Sequence, residues 1–323
     1  MYLIRSALIF SLVVLGFFSP IFSIGAGTQP SSARLLFTGD ILLSRHVAEE
    51  VKHRRVSPWA NLADIFHSAQ WVGGNFEGAV GSPSDCMSTA HPCFATSGSL
   101  VRLLKEAGFH GLTVENNHAG DLGSAGREHT RRLLEQESLL PIDFENSPEY
   151  ARVGDATMAL LAITVIPAAD GRVQQIPSTE IFEKLRTARQ RADLIVVSIH
   201  WGVEYQRLAD TTQRAQARWL VQHGADLIVG HHPHVVQPPE CVEGHPVFFS
   251  LGNHVFDQTY PPTKEGLIAD CRLSVGQLNC EGIRTHTEAG TSLPNTADAD
   301  RAANIALAAC TPKMKKAESP SLR

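Results

Sequence analysis

The sequence predicts an α/β fold, and three observations carry that prediction. Short apolar runs alternate along the chain with segments of helical periodicity. Several of those runs, "DLIVVSIHWG" (193–202) most clearly, are β-branched and nearly uninterrupted, as strands buried on both faces are. The runs also end repeatedly in polar side chains, at the carboxyl ends where open α/β sheets gather their ligands.

Taken in order, "RLLFTGD" (34–40) reads as a strand closing in a Gly-Asp turn, and "WVGGNFEG" (71–78) as a second strand. "SLVRLLKEAG" (99–108) has helical spacing and stops at Gly108. "GLTVENNH" (111–118) reads as a strand that ends polar, and "SAGREHTRRLLEQ" (124–136) as a helix. "MALLAIT" (158–164) is a strand, "STEIFEKLRTARQRA" (178–192) a helix with one polar side, and 193–202 the buried strand. "TQRAQARWLVQHG" (212–224) is a helix closed by Gly224. "DLIVGHH" (226–232) and "PVFFSLGNH" (246–254) are again strands. One domain over residues 34–310 accounts for this pattern, preceded by residues 1–33 and followed by a polar, basic, aperiodic stretch, 311–323, that reads as a flexible tail.

With 323 residues and 43% hydrophobic content the chain can bury a large core. A net charge of −5 argues against a basic nucleic-acid binder, and no nucleic-acid partner is expected. "MYLIRSALIFSLVVLGFFSPIFSIGAG" carries one charged side chain, Arg5, before a long apolar run without a polar face. That is a secretory signal peptide or an uncleaved anchor, so an extracytoplasmic domain is expected, either secreted or anchored. The run Ala7 to Ile24 sits near the lower limit of about 17–25 residues for a span. Pro20, Ser23, Gly25 and Ala26 favour cleavage nearby. Six cysteines suit an oxidising compartment, and local spacing suggests Cys86–Cys93, Cys271–Cys280 and, by remainder, Cys241–Cys310.

Of 15 histidines, seven fall between His200 and His254, three of them within "GHHPH". Strand ends supply Asp40; Asn75 and Glu77; Asn116, Asn117 and His118; His200; His231, His232 and His234; and Asn253. Singly, most have ordinary explanations. Asp40 could cap a following helix, "NNH" could be a turn, and a lone His200 after apolar residues could be a hydrogen-bonded core residue. Jointly, imidazole, carboxylate and carboxamide without cysteine suit a divalent ion such as Mn, Zn or Fe, one or two of them.

"FTGDILLSR", "GGNFEGAV", "ENNHAGDLG", "VVSIHWGVEY", "DLIVGHHPHVVQPPE" and "VFFSLGNHVFDQ", in this order over roughly residues 35–260, resemble the capsule-synthesis protein CapA family. That family is named for poly-γ-glutamate capsule biosynthesis and is itself similar to calcineurin-like metallophosphoesterases. The resemblance implies a four-layer sandwich, two mixed β-sheets flanked by helices. It also implies roles: Asp40, Glu77, Asn117, His200, His232 and His234 as metal ligands, and His118 as the acid that protonates a leaving group. Arg45, Asn75, Asn116, Glu204, His231 and Asn253 would touch substrate or support the ligands. Counting back from Gln237 favours His232 and His234 as the ligating pair; counting forward from Gly230 favours His231.

The chain departs from the metallophosphoesterase pattern at Leu42, where Asp-x-His would place a histidine, and at His254, which could add a ligand or face solvent. Two functions compete. One is an exported metal-dependent hydrolase or transferase acting on phosphoryl or γ-glutamyl linkages of an anionic polymer or phosphorylated substrate. The other is a non-catalytic, cation- or polymer-binding component working beside capsule-synthesis membrane proteins. A plain nucleotidase or nuclease follows from the fold alone and has little else behind it.

Overall fold

The structure, a computed structural model, describes residues 32–87, 92–288, 292–296 and 310. The N-terminal apolar segment and the stretch 311–323 lie outside the described residues. Among the described residues no helix is long and apolar enough to cross a membrane.

Two sheets form the centre. The first has eight strands, ordered Pro294–Thr296, Gln277–Thr287, Glu265–Ser274, Ala33–Ile41, Trp71–Phe76, Gly111–Thr113 and Leu140–Ile142, with Asn253–Val255 also pairing Ala33–Ile41. The second has six: Glu240–Val242, His245–Phe248, Leu227–His231, Leu194–His200, Ala156–Thr164 and Glu149–Val153. Both are mixed. Their central strands run parallel, while the hairpin Glu265–Ser274/Gln277–Thr287 and both edges of the second sheet run antiparallel.

The layering follows from strand alternation. Leu35 and Phe37 point between the sheets and join Leu160, Val196, Val229 and Phe248; Leu36 points outward and joins Val101, Leu104 and Leu134 of the helices Gly98–Ala107 and Gly123–Gln136. On the far side Ile195, Val197 and Ile228 pack on Ile181, Leu185 and Leu220 of the helices Thr179–Arg191 and Thr211–Gln222. Three cores separate four layers, the sandwich the family resemblance implies. Because both faces of each central strand are buried, these strands read as continuous apolar runs.

The helices start and stop where their caps allow. Gly108 ends one in the left-handed region, φ 102°, with its N–H on Leu104 and Lys105 carbonyls. Asp210 and Gln213 cap the start of Thr211–Gln222 reciprocally. The helix Arg45–Arg54 is preceded by Ser44, so Asp40 is not its cap; Asp40 lies inside the first strand.

Two strands differ from the sequence reading. Residues 111–118 hold strand pairing only over Gly111–Thr113, after which Asn116 turns the chain by bonding its own loop. Residues 246–254 break into His245–Phe248, Ser250–Leu251 and Asn253–Val255, leaving the second sheet and entering the first. The crossing needs two glycines: Gly252 sits at φ 67°, and a Cβ on Gly39 would lie 1.9 Å from the Gly252 carbonyl oxygen. The pairs Cys86–Cys93, Cys241–Cys310 and Cys271–Cys280 all form, the cysteine usage of an oxidising, extracytoplasmic compartment.

Candidate metal centre

The polar strand ends of both sheets meet at one edge of the sandwich. Asp40 is fully buried; its Oδ1 accepts from Asn75 Nδ2 at 2.8 Å and its Oδ2 from the His232 amide at 3.3 Å. His231 Nδ1 stands 3.2 Å and His234 Nδ1 3.4 Å from its two oxygens. Burial alone would raise the Asp40 carboxyl; the imidazoles of His231 and His234 beside it overturn that and hold it well below the usual carboxylate range.

Glu77 is equally buried, yet among the described residues neither carboxylate oxygen has a hydrogen-bond partner. His234 Nε2, at 3.7 Å, is a neighbour without hydrogen-bond geometry. Burial, reinforced by Asp40 and Glu204 and opposed by His234, pushes Glu77 up to about 8. His234 goes the other way: burial would depress it, but Glu77 and Asp40 raise it to about 9. Burial followed by the neighbouring His234 takes His232 down to about 4. Burial and His232 hold His200 well below the usual imidazole range.

Among the described residues, two sets of ligand atoms converge, each within 4.8 Å of one another: Asp40, Glu77 and His234, and Glu204, His232 and His234. His234 belongs to both. The three histidines reach these positions because His232 and His234 take left-handed backbone, φ 96° and 58°, on either side of Pro233. For bulky residues that conformation is strained, of order 1–3 kcal/mol each. The unpartnered Glu77 oxygens and the unpartnered Nδ1 of His200 and of His232 are orphaned buried acceptors of the kind a divalent cation satisfies. The residues present therefore fit a divalent metal.

The other sequence candidates fall around this centre. Asn117 Oδ1 lies 2.8 Å from His200 Nε2, and the His200 ring is 4.8 Å from that of His232. Asn116 Nδ2 donates to Asn75 Oδ1 (3.0 Å) and to the Phe76 carbonyl (2.9 Å), tying the Asn117-His118 loop to the Asp40 strand. Asn253 Oδ1 is 2.9 Å from His234 Nδ1. His231 is buried against Asp40 and lines the narrow space between the sheets with Thr38 and Ser198. Arg45 pairs with Asp257 at the mouth. Glu204, which the sequence reading places among substrate or supporting contacts, stands with the ligand atoms and is exposed.

His118 Nδ1 sits 3.0 Å from Asp121 Oδ2, leaving Nε2 for chemistry at the mouth. Asp121, three residues on, lies within the motif ENNHAGDLG, where its spacing from His118 is the signal that pairs them. Phe94, against the same imidazole, had no sequence signal. His254 neither adds a ligand nor faces solvent: it is buried on the opposite side of its strand from Asn253, stacked 6.0 Å from Phe66, and burial takes it down to about 3. Leu42 is fully buried in the outer core, facing away from the ligands.

Comparison with known proteins gives the family of the chain. Residues 34–258 match the family described as bacterial capsule synthesis protein PGA_cap. The PGA biosynthesis protein CapA of Bacillus subtilis (strain 168) is 32% identical over 253 residues, 73% of this chain and 67% of the relative. The capsule biosynthesis protein CapA of Bacillus anthracis is 30% identical over 298 residues, 83% of this chain and 70% of the relative. Among solved structures, that of a novel phosphatase from Mycoplasma pneumoniae is similar at TM-score 0.47 and 15% identity, over 82% of this chain and 92% of the other. With its six ordered motifs inside a matched region that spans the whole candidate centre, the chain belongs to the bacterial capsule synthesis protein family.

Proposed function

We propose that this chain is an exported, metal-dependent hydrolase or transferase of capsule synthesis, acting on phosphoryl or γ-glutamyl linkages of an anionic polymer. One observation carries the reading: a fully buried glutamate, Glu77, with both oxygens unpartnered, faces a histidine shared by two convergent ligand sets. A structural carboxylate would be hydrogen-bonded. One left bare and desolvated is poised for a cation.

Asp40, Glu77 and His234 would hold one divalent ion, and Glu204, His232 and His234 mark where a second could sit. The ion supplies Lewis acidity toward a substrate oxygen and toward water. Asn75 and Asn116 keep Asp40 and the Asn117 loop in register. His118, its Nδ1 engaged by Asp121, presents Nε2 to give a proton to the departing oxygen or nitrogen. Arg45, exposed and paired with Asp257, would meet an anionic substrate by exchanging that partner. The N-terminal segment would export the domain or anchor it near capsule-synthesis membrane proteins.

A second reading, a cation- or polymer-binding component without turnover, is favoured by Leu42, whose side chain faces the core where a further ligand would be expected. The purified chain decides between them. Metal per chain is measured after chelation and titration with Mn²⁺ or Zn²⁺, then turnover of phosphodiester and poly-γ-glutamate substrates. Bound metal with turnover supports the enzyme; bound metal without turnover on any of these supports the binding component. A chain that takes up no metal defeats the proposal.

A further inference from the structure

We infer that Phe94 and Phe256 form an aromatic spacer that sets the His118 imidazole against the His234 side of the candidate metal centre, Phe94 being the positioning residue for His118. This rests on the proposed enzymatic reading and adds to it Phe94, which lies outside the six motifs, and Phe256, which lies within the last of them without a role of its own.

The geometry is continuous from ring to ring. The His118 imidazole stacks on Phe94 with centroids 3.7 Å apart and planes 18° from parallel. Phe94 meets Phe256 edge-on at 5.9 Å and 74°. Phe256 in turn lies 4.9 Å from the His234 ring. Both phenylalanines are buried, Phe94 at 5% and Phe256 at 3% exposed, so neither can swing without displacing packed neighbours. The Arg45 guanidinium lies 4.7 Å over the Phe94 ring while paired with Asp257, adding a cation–π contact.

Phe94 is itself held at every bond. Its N–H donates to Asp121 Oδ2 at 2.7 Å, the same oxygen that lies 3.0 Å from His118 Nδ1. Its carbonyl accepts from the Ala79 amide at 3.0 Å. The preceding residue, Cys93, is crosslinked to Cys86, and the next residue beyond Cys86, Met87, donates its N–H to the Asp121 carbonyl at 2.9 Å. One carboxylate thus fixes the edge of the imidazole while the ring it also anchors fixes the plane. A hydrogen bond alone leaves an imidazole free to rock about that bond; a stacked ring 3.7 Å away removes the freedom. An acid that must deliver its proton along one line to a leaving atom needs both constraints.

The test uses the disulfide-bonded full chain loaded with Zn²⁺, as wild type, Phe94→Leu and Phe94→Tyr. Two readouts are taken. The first is the His118 ring proton resonance, assigned by its loss in His118→Gln, whose upfield position reports the stacked Phe94 ring. The second is turnover of a phenyl ester against a p-nitrophenyl ester of the same phosphodiester, since the poorer leaving group needs the acid. Phe94→Leu should move the His118 resonance toward its unstacked position. It should lower kcat for the phenyl ester on the order of tenfold to a hundredfold, with KM and the p-nitrophenyl rate little changed. Phe94→Tyr should restore both. A His118 resonance unmoved in Phe94→Leu, or equal losses on the two esters, overturns the inference. If the loaded wild type turns over neither ester, the phosphodiester form of the enzymatic reading fails, and the ring resonance alone decides the spacer: shifted in Phe94→Leu and restored in Phe94→Tyr it stands, unmoved it falls.

Discussion

Replacing Glu77 by glutamine keeps the side chain's shape and removes its charge, and it separates cation binding from packing. A carboxyl carried from its ordinary 4.5 to about 8 costs about 5 kcal/mol to ionise in the metal-free fold. That net value already includes the opposing influence of His234 beside it, itself raised to about 9. Both groups bind their protons more tightly folded than unfolded. Above pH 6.5 the metal-free fold therefore loses stability as pH rises toward 9. His232 and His200, both depressed, work in the opposite sense only below 6.5, between their folded and unfolded values. A divalent ion displaces the extra protons, so metal affinity rises over the same window. Thermal unfolding from pH 6.5 to 9, in chelator and in excess Mn²⁺ or Zn²⁺, should show a gap between the two melting curves that widens with pH. Glu77→Gln should melt at or above wild type in chelator at pH 9, by roughly 2–5 °C if about 1–3 kcal/mol of the ionisation cost is relieved, and should respond weakly to metal. A variant that melts well below wild type in chelator and keeps the full metal response would refute the reasoning, because Glu77 would then be a packing group.

Three further outcomes are expected. Leu42→His, which puts a polar ring into the outer core, should cost about 3 kcal/mol in urea unfolding without adding bound metal; an added metal equivalent at unchanged stability would show that the position can turn toward the centre. Gly39→Ala should lose more than about 4 kcal/mol or fail to accumulate folded, since the Gly252 carbonyl 1.9 Å from the new Cβ belongs to backbone that cannot retreat; a wild-type melting temperature would contradict the strand crossing described above. Removing the Cys271–Cys280 crosslink, with its sequence separation of 9, should lower stability by about 2.5–3 kcal/mol with the other two disulfides intact; an unchanged urea midpoint would mean that the hairpin ladder alone holds the register.

Much of the fold was readable because its signals are local. The Gly108 stop, the buried run 193–202 and the pairings Cys86–Cys93 and Cys271–Cys280 depend on residues near one another in sequence or on a single period, and Cys241–Cys310 followed from them by remainder. Strand ends supplied Asp40, Glu77 and the histidines as candidates for the same reason. Where the reading stopped short, the cause was always a long-range decision. Residues 246–254 look like one apolar strand, but the close approach of Gly39 and Gly252 splits them between sheets. His254 looks as available as Asn253 until strand alternation sends it into the opposite core. Glu204 carries no ligand spacing of its own; it joins the centre only because its loop lies beside His232.

The sequence by itself determined the α/β class, the order of most elements, the family and the chemical character of the centre. Each of these follows from periodicity or from motifs a few residues long. Only the tertiary structure decided which atoms converge. Three histidines in four positions do not reveal that two adopt left-handed backbone to face both Asp40 and Glu204, and no pattern joins Phe94 to His118. Convergence depends on how two sheets pack across a shared core, and packing geometry is set by contacts between residues far apart in the chain.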